Sequence, residues 1–379
     1  MAFAQAEAEA MTSLHLVSEP LDRELVLRSP DAVVTAVPYL LGFMPTESIV
    51  IVWVAAGTIA LTQRIDLPDA NLTPDESKNF AASVVSSALQ AEAESAVVCI
   101  FTDRGDGTDL PYLDLVAGLM VAMHGAGIQT SDALLVSSEA EHLANRWWSY
   151  LCTSGCCPPE GRDVDERVAL GIRAKFALLG VAAMESREGL EKSLDSDALA
   201  AGRVALLVKK QFEGSNAEID PKEAESAVEE WRQVCIPFVL DVLTAARNQD
   251  HLDEAQCAHL LLGLADVRVR DTFLWHLARE ADRHGILAVL LDSLRKAPVG
   301  LVAPVATVAA ICAWLLGDGA RALIALDRAE DDDPGYSLAE LVRYSLSCGM
   351  PPKIWLAAMN DLTEDQCRSG KLTPPLSTE

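Results

Sequence analysis

PYLLGFMPTESIVIVWVAAGTIALTQRID, residues 38–66, is the stretch on which the fold of this chain turns. Ile49 to Val54 is an apolar, β-branched run, Gly57 marks a turn, and Ile59 to Ile65 is a second such run. β-Branched and aromatic side chains suit a pleated, half-buried surface, so the pair predicts a β-hairpin on which an N-terminal core is assembled. Upstream, SPDAVVTAVPYLLG (29–42) predicts a short helix capped by Ser29, with Pro30 in its first turn and Gly42 past its end. Pro38 inside that pattern predicts a kink or an early close.

Downstream, Thr73 to Ala93 predicts a helix opened by a Thr73 cap and by Asp75 and Glu76 at the positive dipole end. SAVVCIFT (95–102) is continuously apolar, the pattern of a strand buried on both faces. A helix over Tyr112 to His124 and a further buried strand over Ala133 to Ser137 follow. Helices alternating with apolar strands predict right-handed crossovers and a largely parallel sheet, with an antiparallel part from the hairpin. RWWSYLC (146–152) has the aromatic content of a strand, and Gly155 with Pro158-Pro159 predicts an irregular turn.

After about residue 165 the periodicity becomes helical, with Gly263, Gly285, Pro298, Gly317 and Pro334 as punctuation. The expected fold class is an α/β N-terminal domain, a mixed sheet with an early β-hairpin, followed by an all-α helical domain. Residues 1–20 are expected as a mobile leader, 21–165 as the α/β domain, 166–362 as the helical domain and 363–379 as a flexible tail. Gly214 to Pro221 is the best internal linker. Near 302–330 a helical hairpin is expected. Its Ala322, Leu326, Ala329 and Pro334 have the spacing of the second helix of a tetratricopeptide repeat, with no second copy at that period.

The chain has 379 residues, long enough for two cores, and a net charge of −26 from 56 acids against 30 bases. A phosphate backbone is held by Lys and Arg, and the densest basic run is only Lys209-Lys210, so no nucleic-acid or anionic-membrane partner is expected. The first 20 residues lack the basic start of a secretory signal. The longest apolar run, Leu301 to Leu316, falls short of the roughly 20 residues of a membrane span and contains Pro304. Nine cysteines, most of them single in apolar helical context, suit a reducing cytoplasm.

The sharpest chemical feature is the group Cys152, Cys156 and Cys157 beside Pro158. A packed or disulfide-pinned turn, thiol redox behaviour, and a zinc site completed by a residue such as His142 are its three readings, in that order. C-x3-C-C is neither the C-x-x-C redox motif nor half of a paired zinc knuckle. A polar pocket is expected from Arg64 and Asp66, which share one face of the second hairpin strand, together with Asp103 beyond the next strand. The loop from Asp103 to Asp109 reads as a solvated Gly-rich turn before a divalent-cation site. His251, Asp253, Cys257 and His259 lie close enough in sequence for metal ligation, but helix-surface residues explain them as well. No phosphate loop, nucleophile elbow or H-E-x-x-H occurs, and the residues assign no cofactor.

Four stretches resemble an actinobacterial family designated domain of unknown function 4192. They are SPDAVVTAVPYLLGFMPTESIVIVWV (29–54), QRIDLP (63–68), RWWSYLC with CCPPEG (146–152 and 156–161), and AWLLGDGARALIALDRAEDDDPGYSLAELV (313–342). The resemblance implies a bacterial cytoplasmic protein and brings no catalytic residues. Function therefore rests on chemistry alone. A protein-interaction module without its own catalysis is expected, with a protein as partner. The alternative is a thiol-redox factor or enzyme with its site on the α/β domain near Cys152 to Cys157.

The charge balance yields a first prediction. The purified chain should show no retention on duplex or single-stranded DNA at about 0.15 M salt. Salt-dependent retention on a DNA column would reveal a basic surface that the composition hides.

Overall fold

The computed structural model describes residues 14–16, 25–68, 72–104, 110–137, 146–152, 158–212, 221–247 and 251–371. They fall into two units, Met1–Leu190 with Ser345–Pro351, and Glu191–Tyr344 with Pro352–Glu379.

The first unit is built on a mixed sheet. Its strands are β1 (Leu14–Leu16), β2 (Leu25–Leu27), β3 (Ser48–Ala55), β4 (Thr58–Asp66), β5 (Ser95–Phe101), β6 (Gln129–Ser137), β7 (Arg146–Ser149) and β8 (Arg162–Asp163). Their order is β2-β1-β4-β3-β5-β6-β7-β8. The expected hairpin is β3–β4, turning at Ala56-Gly57, where both residues take positive φ. It shares one sheet with Ser95–Phe101 and Ala133–Val136, as the apolar runs require.

The sheet is not largely parallel, however. β3 pairs antiparallel with both β4 and β5, and among the described residues only β1–β4 and β5–β6 are parallel pairs. The alternation of helices and strands does give parallel β4, β5 and β6, but the hairpin's first strand is inserted between β4 and β5. Leu14–Leu16, within the stretch read as a leader, forms a strand paired with β2 and bridged to Thr58.

Helices α1 (Pro30–Leu41), α2 (Pro74–Gln90) and α3 (Leu113–Gly125) cover the sheet, and α4 (Glu166–Leu178) packs on α1. Ile49, Ile51 and Trp53 alternate onto one face with Val98, Ile100 and Leu135, where Val84 and Ala88 of α2 and Leu119 and Met123 of α3 close over them. On the other face α1 packs against β4 and β6, with Trp147 Nε1 donating to Asp31 at 2.8 Å and Tyr39 stacked on Phe176 at 4.6 Å. Ser29 caps α1 as expected, and Gly42 at φ 79 ends it. Pro38 does not close it early, since the helix continues to Leu41. Burial of Val33, Val34, Val37 and Leu41 offsets the missing hydrogen bond.

The second unit is helical: α6 (Ala198–Phe212), α7 (Pro221–Arg247), α8 (Glu254–Ala265), α9 (Val267–Arg279), α10 (His284–Arg295), α11 (Val302–Leu315), α12 (Gly319–Asp332), α14 (Pro352–Asn360) and α15 (Glu364–Ser369). Two further helices, α5 (Arg187–Ser193) and α13 (Ser337–Ser347), are each divided between the units. The linker expected at Gly214 lies outside the described residues, and Pro221 already opens α7. A further helix, α15, follows residue 362, with a capping box between Thr363 and Gln366.

Every residue from Val302 to Trp314 is buried, so α11 is the axis of this unit, packed on α10 and α12. Such a helix is apolar all round and needs its end satisfied by another element. Asp332 does this from the last turn of α12, accepting from the backbone N–H groups of Gly300 (2.7 Å), Val302 (3.1 Å) and Ala303 (2.9 Å). On α12, Ala322, Leu326 and Ala329 are buried. Among the described residues no helix is long and apolar enough to cross a membrane.

Asp332→Ala should lower the stability of the helical unit by about 1–2 kcal/mol, because three N–H groups lose a charged acceptor. Asp332→Asn should fall between the two. Urea denaturation followed by far-ultraviolet circular dichroism measures both.

Candidate functional site

Because β4, β5 and β6 run the same way, Asp66, Thr102 and Ser137 come to one end of the sheet, where β3 starts beside Glu47. Thr102 Oγ1 donates to the Glu47 carboxylate at 2.6 Å, and the Arg104 guanidinium pairs with the same carboxylate at 3.2 Å. Arg104 also donates to the Tyr112 hydroxyl at 3.0 Å. Glu47 and Tyr112 both take positive φ, 41° and 61°, a conformation costly for residues with a Cβ.

The expected pocket residues divide. Arg64 and Asp66 do meet, at 2.6 Å, and the Arg64 guanidinium lies over the Phe43 ring at 5.9 Å. With Asp66 82% exposed, the pair is worth no more than about 1 kcal/mol. Asp103 follows β5 and accepts from Ser137 Oγ at 3.1 Å, so it turns toward β6, while β3 stands between it and the strand that carries Arg64 and Asp66. Residues 105–109 of its loop lie outside the described residues.

Of the thiol group, Cys152 is half-buried just after β7, while Cys156 and Cys157 lie outside the described residues. The chain does reverse across that segment, since β7 and β8 pair antiparallel through Arg146–Asp163 and Trp147–Arg162. Gly161 closes the reversal at φ 79, where a Cβ would come within 2.5 Å of the Trp148 ring. Trp148 Nε1 in turn donates to the Pro159 carbonyl at 3.0 Å.

The second sequence cluster has structural uses. Asp253 caps α8 in a capping box, and Cys257 is buried, its thiol pushed up to about 11 chiefly by desolvation. The His259 ring tilts against Phe238 at 4.5 Å, and burial lowers its pKa. His251 is exposed. Among the described residues no group of three or more His, Cys, Asp or Glu side chains is placed to hold a metal ion. An open depression of about 580 Å³ at the end of α3 is lined mostly by apolar groups, including Met120, Val121 and Ile128, and also by His124.

The sequence reading missed two features. One is Asp132, placed by a register slip in β6: Ala96 pairs with Thr130, but Val97 with Asp132. The slip turns its carboxylate onto the Cys99 face, where it accepts from Ser149 Oγ at 2.9 Å and from the Ala133 N–H at 2.8 Å. Burial raises its pKa in spite of both bonds. The other is the outer side of α6. Ala200 and Val204 face inward and are buried, whereas Leu199 and Leu206 are 78% and 69% exposed. Their seven-residue separation puts both on one line of the helix, a signal already present in the sequence.

A mixed, hairpin-centred α/β sheet joined to a helical unit defines the class of this protein. The chain belongs to the family described as domain of unknown function DUF4192, whose profile matches residues 30–353. No curated protein and no solved structure matches it.

Asp132 leads to a pH prediction. An acid whose folded pKa is raised stabilises the fold as the neutral form. That contribution is complete below the ordinary carboxylate range and is lost as pH rises through the raised value. Asp132→Asn keeps an acceptor for Ser149 without the charge. This variant should be more stable than the parent at neutral pH, with the difference vanishing below about pH 4. Melting temperature against pH tests this, and an Asp132→Asn variant less stable than the parent at neutral pH would contradict it.

Proposed function

We propose that this is a cytoplasmic protein-interaction module without catalysis of its own, working in the actinobacterial setting that the family resemblance implies. In this reading the sheet-based unit to Leu190 is a scaffold. The helical unit that starts at Glu191, including a tetratricopeptide-like pair α11–α12, is the part that binds. The observation carrying the proposal is the outer line of α6, where Leu199 and Leu206 stand 78% and 69% exposed opposite a buried face. Large apolar side chains aligned on a helix surface mark interaction sites more often than isolated ones do. The buried thiols Cys99, Cys235, Cys257 and Cys312 fit a reducing compartment, and the net charge of −26 suits a soluble protein with a proteinaceous partner.

Immobilised wild-type, Leu206→Glu and Cys152→Ser chains, incubated with host lysate, test the reading. A binder retained by wild type and Cys152→Ser but lost at least tenfold by Leu206→Glu is the expected outcome. A binder or thiol-dependent activity lost only in Cys152→Ser would transfer the function to the cysteine turn.

A further inference from the structure

The outer lines of α6 and α7 are complementary to each other. Along α6 the outward residues are Leu199, Arg203, Leu206 and Lys210, with steps of four, three and four. Along α7, read in the opposite direction, they are Val234, Glu230, Ala227 and Glu223, with the same steps. Cys235, Val239 and Val242 of α7 face inward and are buried, whereas Val234 is 67% exposed. Glu223, Ala227 and Glu230 are exposed as well. At about 1.5 Å per residue both lines span roughly 16 Å. Laid antiparallel, they set Leu199 on Val234, Arg203 on Glu230, Leu206 on Ala227 and Lys210 on Glu223.

We infer that these two helices are the halves of a homodimer interface, α6 of one copy docking on α7 of a second and the reverse contact repeating by two-fold symmetry. The inference rests on the proposed interaction role and names its partner. Within one chain the two lines do not cover each other, since α6 packs on α8 while α7 packs on α8, α9 and α10. Gly202, beside the apolar line of α6, has nothing within 4 Å of the position a Cβ would take, which leaves room for a close helix approach. Charge complementarity selects the second copy. Lys209-Lys210 is the densest basic run of an acidic chain, and the facing line of α7 carries Glu223 and Glu230. Arg203, within the line, also pairs with Glu254 of α8 at 2.6 Å, which fixes its side chain. An isologous contact of this kind closes and does not propagate into fibres.

Light scattering behind size exclusion, on the full chain at up to about 100 µM, tests the inference. A dimer is expected. Leu206→Glu and Lys210→Glu should each weaken it at least tenfold, and adding Glu223→Lys to Lys210→Glu should restore it. Circular dichroism confirms that each variant remains folded. A monomer at the highest concentration, a dimer indifferent to Leu206→Glu, or a charge reversal without rescue would each overturn the homodimer. A monomer that still retains a lysate binder through Leu206 would leave the interaction role standing. Loss of both would end that role as well.

Discussion

Strand β3 is enclosed on every side, and the first unit depends on that enclosure. Ile49 to Val54 are at most 2% exposed, with β4 and β5 hydrogen-bonded along the two edges and helices over both faces. Each large aliphatic side chain so buried contributes about 1.5–3 kcal/mol relative to exposure. No polar side chain could occupy these positions without a partner, and none does. Insertion of this strand between β4 and β5 also brings Glu47, Thr102 and Asp66 to one sheet end while holding Asp103 apart from Arg64.

The helical unit answers the same problem differently. α11 is apolar on all sides and supplies no polar group of its own at its start, so its exposed N–H groups are satisfied by Asp332 from the neighbouring helix. At the α8–α9 joint, the Asp266 carboxylate accepts from the Arg268 and Val269 N–H groups and also receives the Arg232 guanidinium at 2.7 Å. Arg232 and Asp266 are both largely buried, and these bonds hold the Asp266 carboxyl below its usual range despite desolvation. Gly263 lets α7 approach α8, since a Cβ there would meet Cys235 Sγ and Val239 Cγ1 at 2.9 Å. Caps, one ion pair and one glycine thus fix where α7 lies, and with it which of its residues face outward.

Surface composition then acquires a direction. A net charge of −26 distributed evenly would say only that the protein resists aggregation. The fold instead sets exposed leucines and the densest basic run along one helix, and exposed carboxylates with a valine along the next. Helix geometry alone produces those two lines, because residues seven apart return to the same side.

The hairpin, the buried strand Ser95–Phe101, the cap at Ser29 and most of the helices were determined by the sequence itself, because apolar periodicity and local capping act over a few residues. The same locality made Leu199 and Leu206 legible as a pair, though not as an exposed one. Only the tertiary structure decided that β3 lies between β4 and β5, since strand order depends on pairings between distant segments. It alone decided that Pro38 is tolerated, through the burial of its helix. It also placed Asp132 on the Cys99 face, by a one-residue slip in β6. Such a slip exchanges the two faces of a strand, and nothing in the composition of QTSDALLVS marks where it falls.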